Sequence, residues 1–244
     1  MIMRVRMWLA AFLLLSVAPA SAEFVGTLEF QPTGCEATGK CALKYDFGYI
    51  DPSRMGWQAK AGLVTDGASI PSWAQMIIGG AWDKQFIRAA VIHDWYCLRT
   101  VRPRRMTHRM FYDALIESGV HRAKALTMYY AVLVGSHMWI NLVEGKPCKG
   151  MNNCVQNVGG SLSIPSAIIE RNESGELVAY RSPRFSDPEI EKDITEAGAI
   201  IEGGSIDNPD AVEELARGRH PDDFFLNNGD AITYQGPSSK YPVQ

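Results

Sequence analysis

From Ala125 to Val143 the chain runs 19 residues without a charged side chain, "ALTMYYAVLVGSHMWINLV". No other feature constrains the fold as tightly, because that much apolar length needs either lipid or a protein core around it. A lipid-facing span has no use for polar groups on a regular face. Here Tyr130, His137, Asn141 and Glu144 follow one another at helical spacing and draw a polar line along one side. The stretch that opens at Arg122 therefore reads as one long helix buried at the centre of a domain, with no transmembrane span in the mature chain.

The compartment is read from the first residues. Arg4 and Arg6 precede the apolar run "MWLAAFLLLSV", and "PASA" offers small residues before Glu23. This is the pattern of a secretory signal peptide, residues 1–22, cleaved after Ala22, and it implies a periplasmic or secreted protein. About 222 residues remain, enough for one core with extensions. Loss of the two arginines takes the net charge from -3 to -5, which argues against general nucleic-acid binding. Cys35 and Cys41 flank "EATGK", and Cys148 and Cys154 flank "KGMNN"; both are short polar loops that a disulfide can staple in an oxidising compartment. Cys97 is left over and is read as a small buried apolar residue in preference to a reactive thiol.

Between Phe24 and Thr65, "FVGTLEF", "CALKYDFGYI" and "WQAKAGLVT" read as β-strands, rich in aromatic and β-branched residues and separated by turn formers. "TDGASIPSW" is a loop. Helices are expected over 84–98 and 107–118, broken between them by "TVRPRR", where Pro103 stops propagation. Beyond Cys154 the character changes: from Glu170 to Asp230 there are 16 acidic and six basic residues. "SDPEIEKDI" and "DNPDAVEELARG" each begin with a cap residue, a proline and first-turn acids, the signature of a helix start. The expected architecture is α+β: a small N-terminal antiparallel β-sheet packed on three helices in a core domain over 23–154. A loosely structured acidic C-terminal extension covers 155–244.

Chemistry is suggested by "RAAVIHDWYCLR", where His93 and Asp94 stand side by side in an apolar helix. Burying an imidazole and a carboxylate is costly unless something pairs with them. His93 lies six residues before the helical break and Asp113 six or seven after it, so an antiparallel hairpin sets both about 9–10 Å from the turn. Asp113 can then orient the imidazole. Asp94 points about a quarter-turn away, toward the TDGAS loop, whose Asp66 and carbonyls are hard oxygen donors suited to Ca²⁺ more than to zinc.

"HDWYC", the upstream "DGAS-x-P" loop and an Asp about 20 residues downstream resemble the secreted prokaryotic phospholipase A2 group. The longer pattern "TDGASIP…AAVIHDWY…D…YYAV", over roughly 45–140, resembles more closely a bacterial and phage domain family of unknown function. The phospholipase resemblance implies His93 as the base for a hydrolytic water, Asp113 as its orienter, and Asp94, Asp66 and Gly67 as the calcium site, with a phospholipid or other ester as substrate. That pattern carries an aromatic four residues after the histidine, where this chain has Cys97. Two other readings stand beside it. In one, the HD pair is a buried polar knot of a non-catalytic binding or structural protein; in the other, His93, Asp94 and His137 hold a transition metal for hydrolysis. Arg99, Arg102, Arg104, Arg105 and Arg109 are read as a solvated inter-helix turn. His108, His121 and His220 are read as surface residues without a role, and Trp73 and Trp82 as core packing.

Overall fold

The computed structural model describes residues 22–67, 79–144, 154–155 and 167–228. The fold is α+β, as its sequence patterning indicates. Each of the three N-terminal segments forms two short strands instead of one long one: β1 (Glu23–Val25) and β2 (Phe30–Gln31), β3 (Cys41–Leu43) and β4 (Phe47–Ile50), β5 (Gly56–Ala59) and β6 (Val64–Thr65). The break points are turn-forming positions at Gly26, Asp46 and Gly62. At each break the chain crosses from one sheet to another, so antiparallel sheets β1-β4-β5 and β2-β3-β6 share the same three segments. Strands that bend and change sheets make the corners of such packings. A disulfide joins Cys35 to Cys41 across the 3₁₀ turn Cys35–Thr38 that leads into β3.

Three helices follow: α1 (Ile87–Arg99), α2 (Arg104–Glu117) and α3 (Arg122–Gly135). Thr100, at φ 50°, ends α1 in the left-handed region, and Pro103 caps α2. The long uncharged stretch is not one helix. It divides at Ser136 into α3 and the buried strand β7 (Met138–Asn141), so His137 and Asn141 leave the helical line that Tyr130 begins. Packing explains the switch: "MWIN" pairs with β11 (Leu177–Arg181), the central strand of the sheet β10-β11-β7, with β10 at Ile168–Arg171. Tertiary pairing overrides local helical periodicity. A parallel pair, β8 (Val143–Glu144) and β9 (Cys154–Val155), completes the strands. No helix among the described residues is long and apolar enough to cross a membrane.

The acidic region from 167 to 228 is built into the same core. After β11 come α4 (Pro188–Glu202), α5 (Pro209–Arg219) and α6 (Phe224–Asn228). Asp187 and Asn208 cap α4 and α5 through their side chains, each with proline at the helix start. Ile190, Ile194, Ile201, Val212 and Phe225 are at most 2% exposed and belong to one hydrophobic cluster with α1–α3. The arginines of the α1–α2 turn account for the acids. Glu213, 3% exposed, receives Arg105 Nε at 2.6 Å, an Arg109 guanidinium nitrogen at 2.7 Å and the Tyr129 hydroxyl at 2.7 Å. The solvated-turn reading fails for Arg102 and Arg104, each 3% exposed. Arg102 donates to the Gly56 carbonyl and lies over the Trp57 ring at 4.1 Å, while Arg104 donates to the Phe225 carbonyl. Arg104 thereby ties α6 to the hairpin, and Arg102 ties the hairpin to β5.

Candidate functional site

His93 sits on the buried face of α1, 5% exposed, because Ala89, Ala90, Ile92, Tyr96 and Cys97 carry that face into the core. Its neighbour across the hairpin is His108, not Asp113. His93 Nε2 lies 2.8 Å from His108 Nδ1, and the His93 ring also packs on Phe111 at 4.6 Å between centroids. The hairpin forms, but the partner expected on α2 fails in level as well as in face, because α2 starts at Arg104. Helix α2 turns Thr107, His108 and Phe111 toward the core, and Asp113 lies five residues beyond His108, about 140° further round. His108 is fully buried, against its reading as a surface residue. Its signal in the sequence is its spacing of three from Phe111, in the register of Met110, Phe111, Ala114 and Leu115.

Cys97 Sγ completes the cluster, 3.4 Å from His93 Nε2, with Cys97 itself 7% exposed. The ligating atoms of His93, Cys97 and His108 all lie within 4.8 Å of one another. Burial pushes the Cys97 thiol well up, with the Asp94 charge adding to it. Burial pushes His108 well below the ordinary imidazole value, helped by His93, Arg104 and His137, so His108 is neutral. Asp94 lies at the edge of the cluster, its side chain 22% exposed and Oδ1 3.7 Å from His93 Nδ1. Its carboxyl is raised by burial, partly offset by His93, and raised further by the nearby Asp66 charge.

Hydrogen-bond geometry assigns the protons. The Ser136 hydroxyl donates to the Val132 carbonyl at 2.5 Å, so it offers a lone pair to His108 Nε2 at 3.4 Å. His108 Nε2 then carries the hydrogen and Nδ1 the lone pair, and His93 Nε2–H donates to it. A neutral His93 would turn its Nδ1 lone pair toward the Asp94 carboxylate.

The remaining predicted residues are distributed elsewhere. Asp66 is exposed; Gly67 is buried at φ 95°, where a Cβ would meet the Ala81 carbonyl at 2.8 Å. The Gly67 carbonyl accepts from the Thr65 hydroxyl at 3.2 Å. Asp66 acts on Asp94 through its charge, which raises the Asp94 carboxyl. Residues 68–78, with Ser69, Pro71 and Trp73 of the expected loop, and the Cys148–Cys154 pairing lie outside the described residues. His137 stacks on Tyr180 at 5.1 Å and stands apart from the His93 cluster, so the set His93, Asp94 and His137 is not assembled. His220 is no idle surface residue: its Nε2 lies 2.8 Å from Asp193. Trp82 packs edge-on against Phe30.

Asp113 lines a cavity of about 520 Å³ together with Asp51, Met55, Met106, Met110 and Arg109. Burial pushes its carboxyl up to about 6, with Arg109 opposing and Asp51 adding. Asp51 is saturated by the Ser53 hydroxyl, the Met55 amide and the Trp57 indole. Asp113 has no hydrogen bond among the described residues. It is the acid with capacity to spare.

Two curated relatives share this chain's sequence. The uncharacterized protein y4iH of Sinorhizobium fredii is 43% identical over 143 residues, covering 57% of this chain and 60% of that protein. The uncharacterized protein y4jT of the same organism is 35% identical over 137 residues, covering 52% of this chain and 41% of its own length. The chain thus spans less than two thirds of either relative. No solved structure matches it. The stretch from β3 to the last turn of α3, residues 41–132, which carries the HD helix and its partner helix, matches the sequence model of a family described as "Protein of unknown function (DUF1353)".

Proposed function

We propose that this chain is an exported, non-catalytic binding module, and that its HD pair serves the fold instead of hydrolysis. One observation carries this reading: the His93 imidazole is spent on His108 inside the core, while Asp113, without a hydrogen bond among the described residues, faces an accessible cavity. A general base must reach water and needs an orienting partner on its second nitrogen. His93 has a buried thiol and a second histidine beside it. Its Nδ1 meets Asp94 only at 3.7 Å.

Ligand class follows from the cavity lining. Asp51, Asp113 and Asp210 oppose Arg105 and Arg109, and both arginines are held by Glu213. The surplus charge is negative, and Met55, Met106 and Met110 supply soft, adaptable apolar walls. A small organic cation with an apolar body suits such a lining. The test pairs n-butylammonium with butyrate, equal in length and opposite in charge. Melting temperature should rise with butylammonium, stay unchanged with butyrate, and lose its response in Asp113→Asn. Ester or phospholipid turnover by the mature chain that disappears in His93→Ala would overturn the reading.

A further inference from the structure

We propose that His93, Cys97 and His108 form a binding site for a borderline or soft divalent transition metal, of which zinc is the type, with Asp94 and Ser136 holding the two imidazoles from behind. The inference rests on the non-catalytic reading of the HD pair and adds a ligand to it. It begins from donor chemistry: two imidazole nitrogens and one sulfur suit zinc, nickel or copper and are poor ligands for calcium. All three side chains are at most 7% exposed, and their ligating atoms converge within 4.8 Å.

The distances are close to those an ion needs. Tetrahedral zinc, with Zn–N near 2.0–2.1 Å and Zn–S near 2.3 Å, separates two nitrogens by about 3.3 Å and a nitrogen from a sulfur by about 3.6 Å. Cys97 Sγ already stands 3.4 Å from His93 Nε2. The His93–His108 nitrogens, at 2.8 Å, must open by about half an ångström to exchange their shared hydrogen for an ion.

Proton positions add an argument independent of the donors. Metal-bound histidines donate their other N–H to a carboxylate, carbonyl or similar acceptor, which fixes the tautomer. Here Ser136 stands behind His108, and Asp94, at 3.7 Å, must close by about half an ångström to do the same for His93. His108 Nε2–H faces the Ser136 hydroxyl, whose own hydrogen is committed to Val132. His93 Nδ1 faces Asp94 Oδ1. Without an ion, His93 spends its Nε2–H on His108, which leaves Nδ1 facing Asp94 as an acceptor. With an ion on Nε2, the hydrogen moves to Nδ1 and points at Asp94, so the mismatch disappears. The adjacency of His93 and Asp94 in sequence thus has a reason: the acid supports the ligand and does not itself bind. Its 22% exposed side chain also marks where the cluster comes nearest to solvent.

Binding balances as a proton exchange. The thiol of Cys97 loses its hydrogen to the buffer, while the hydrogen between the two imidazoles moves to His93 Nδ1 as the ion takes the vacated lone pairs, about one proton per ion.

The experiment uses the full mature protein, stripped with a chelator and titrated with Co²⁺, then with Zn²⁺. One equivalent of Co²⁺ should produce a thiolate-to-cobalt charge-transfer band and tetrahedral visible bands, which Zn²⁺ then bleaches, with release of protons to an indicator dye. Cys97→Ser should fold and lose the charge-transfer band; Asp94→Asn should keep the band and bind 10- to 100-fold more weakly. A band that survives in Cys97→Ser, or its absence from folded wild-type protein in excess Co²⁺, overturns the proposal. Failure of this site leaves the binding-module reading intact, whereas ester turnover dependent on His93 would sink that reading without touching the titration.

Discussion

Asp113 carries the clearest pH signature at the scale of single residues. Its folded carboxyl titrates at about 6, above the ordinary 3.8, because burial disfavours its charge. A raised acid favours the folded state while protonated, so its contribution is retained below about pH 4 and lost as pH rises through 6. Asp113→Asn should therefore melt higher than wild type at pH 7.5, and the gap should close toward pH 4 in scanning fluorimetry. Gly135 offers a steric test. A Cβ there would stand 2.6 Å from the Phe185 ring, with Ile190 behind, where α3 passes the chain that leads into α4. Gly135→Ala should cost about 1–3 kcal/mol by urea unfolding, as overpacking does. The residue-scale errors share one cause. His108 and Arg102 are polar by type, and single-residue polarity does not reveal a partner 15 or 46 positions away.

Helices α3, α4 and α5 are joined through buried acids, and their predictions belong to the scale of elements. Asp193 on α4 receives the Tyr130 hydroxyl, the Arg219 guanidinium and His220. Burial alone would raise its carboxyl, but these partners outweigh it and hold it at about 2. A depressed acid stabilises the fold above its unfolded value of about 3.9 and loses that contribution as pH falls through about 2. The stake is about 2 kcal/mol. Asp193→Asn should be less stable than wild type at pH 5, with the difference shrinking toward pH 2 in denaturant titrations. Glu213→Ala should be costlier, roughly 3–5 kcal/mol, because it leaves Arg105, Arg109 and the buried Tyr129 hydroxyl without their common acceptor. Helix caps and the Pro103 break were legible because they are local chemistry. The division of the uncharged stretch into α3 and β7 was not, since β7 exists only by pairing with β11, some 40 residues downstream.

At the scale of the whole molecule, the acidic region decides whether the core closes. Ile190, Ile194, Ile201, Val212 and Phe225 are buried against α1–α3. Each large apolar side chain taken out of water is worth about 1.5–3 kcal/mol, against a typical total stability of about 5–15 kcal/mol. A fragment spanning 23–154 should therefore lose its cooperative melt and bind hydrophobic dyes, while the full mature chain melts in one transition. A sharp, two-state melt of that fragment would show that the C-terminal helices are accessory. The sequence by itself determined the α+β class, the hairpin with its HD helix, the helix starts at Asp187 and Asn208, and the Cys35–Cys41 loop, since each depends on periodicity or on neighbours a few residues apart. Only the tertiary structure decided that His93 meets His108 and Cys97, that Asp113 opens onto a cavity, and that a charge-rich tail is core. Those outcomes depend on which face of each helix the packing turns inward, and helical spacing fixes the set of faces but not the choice among them.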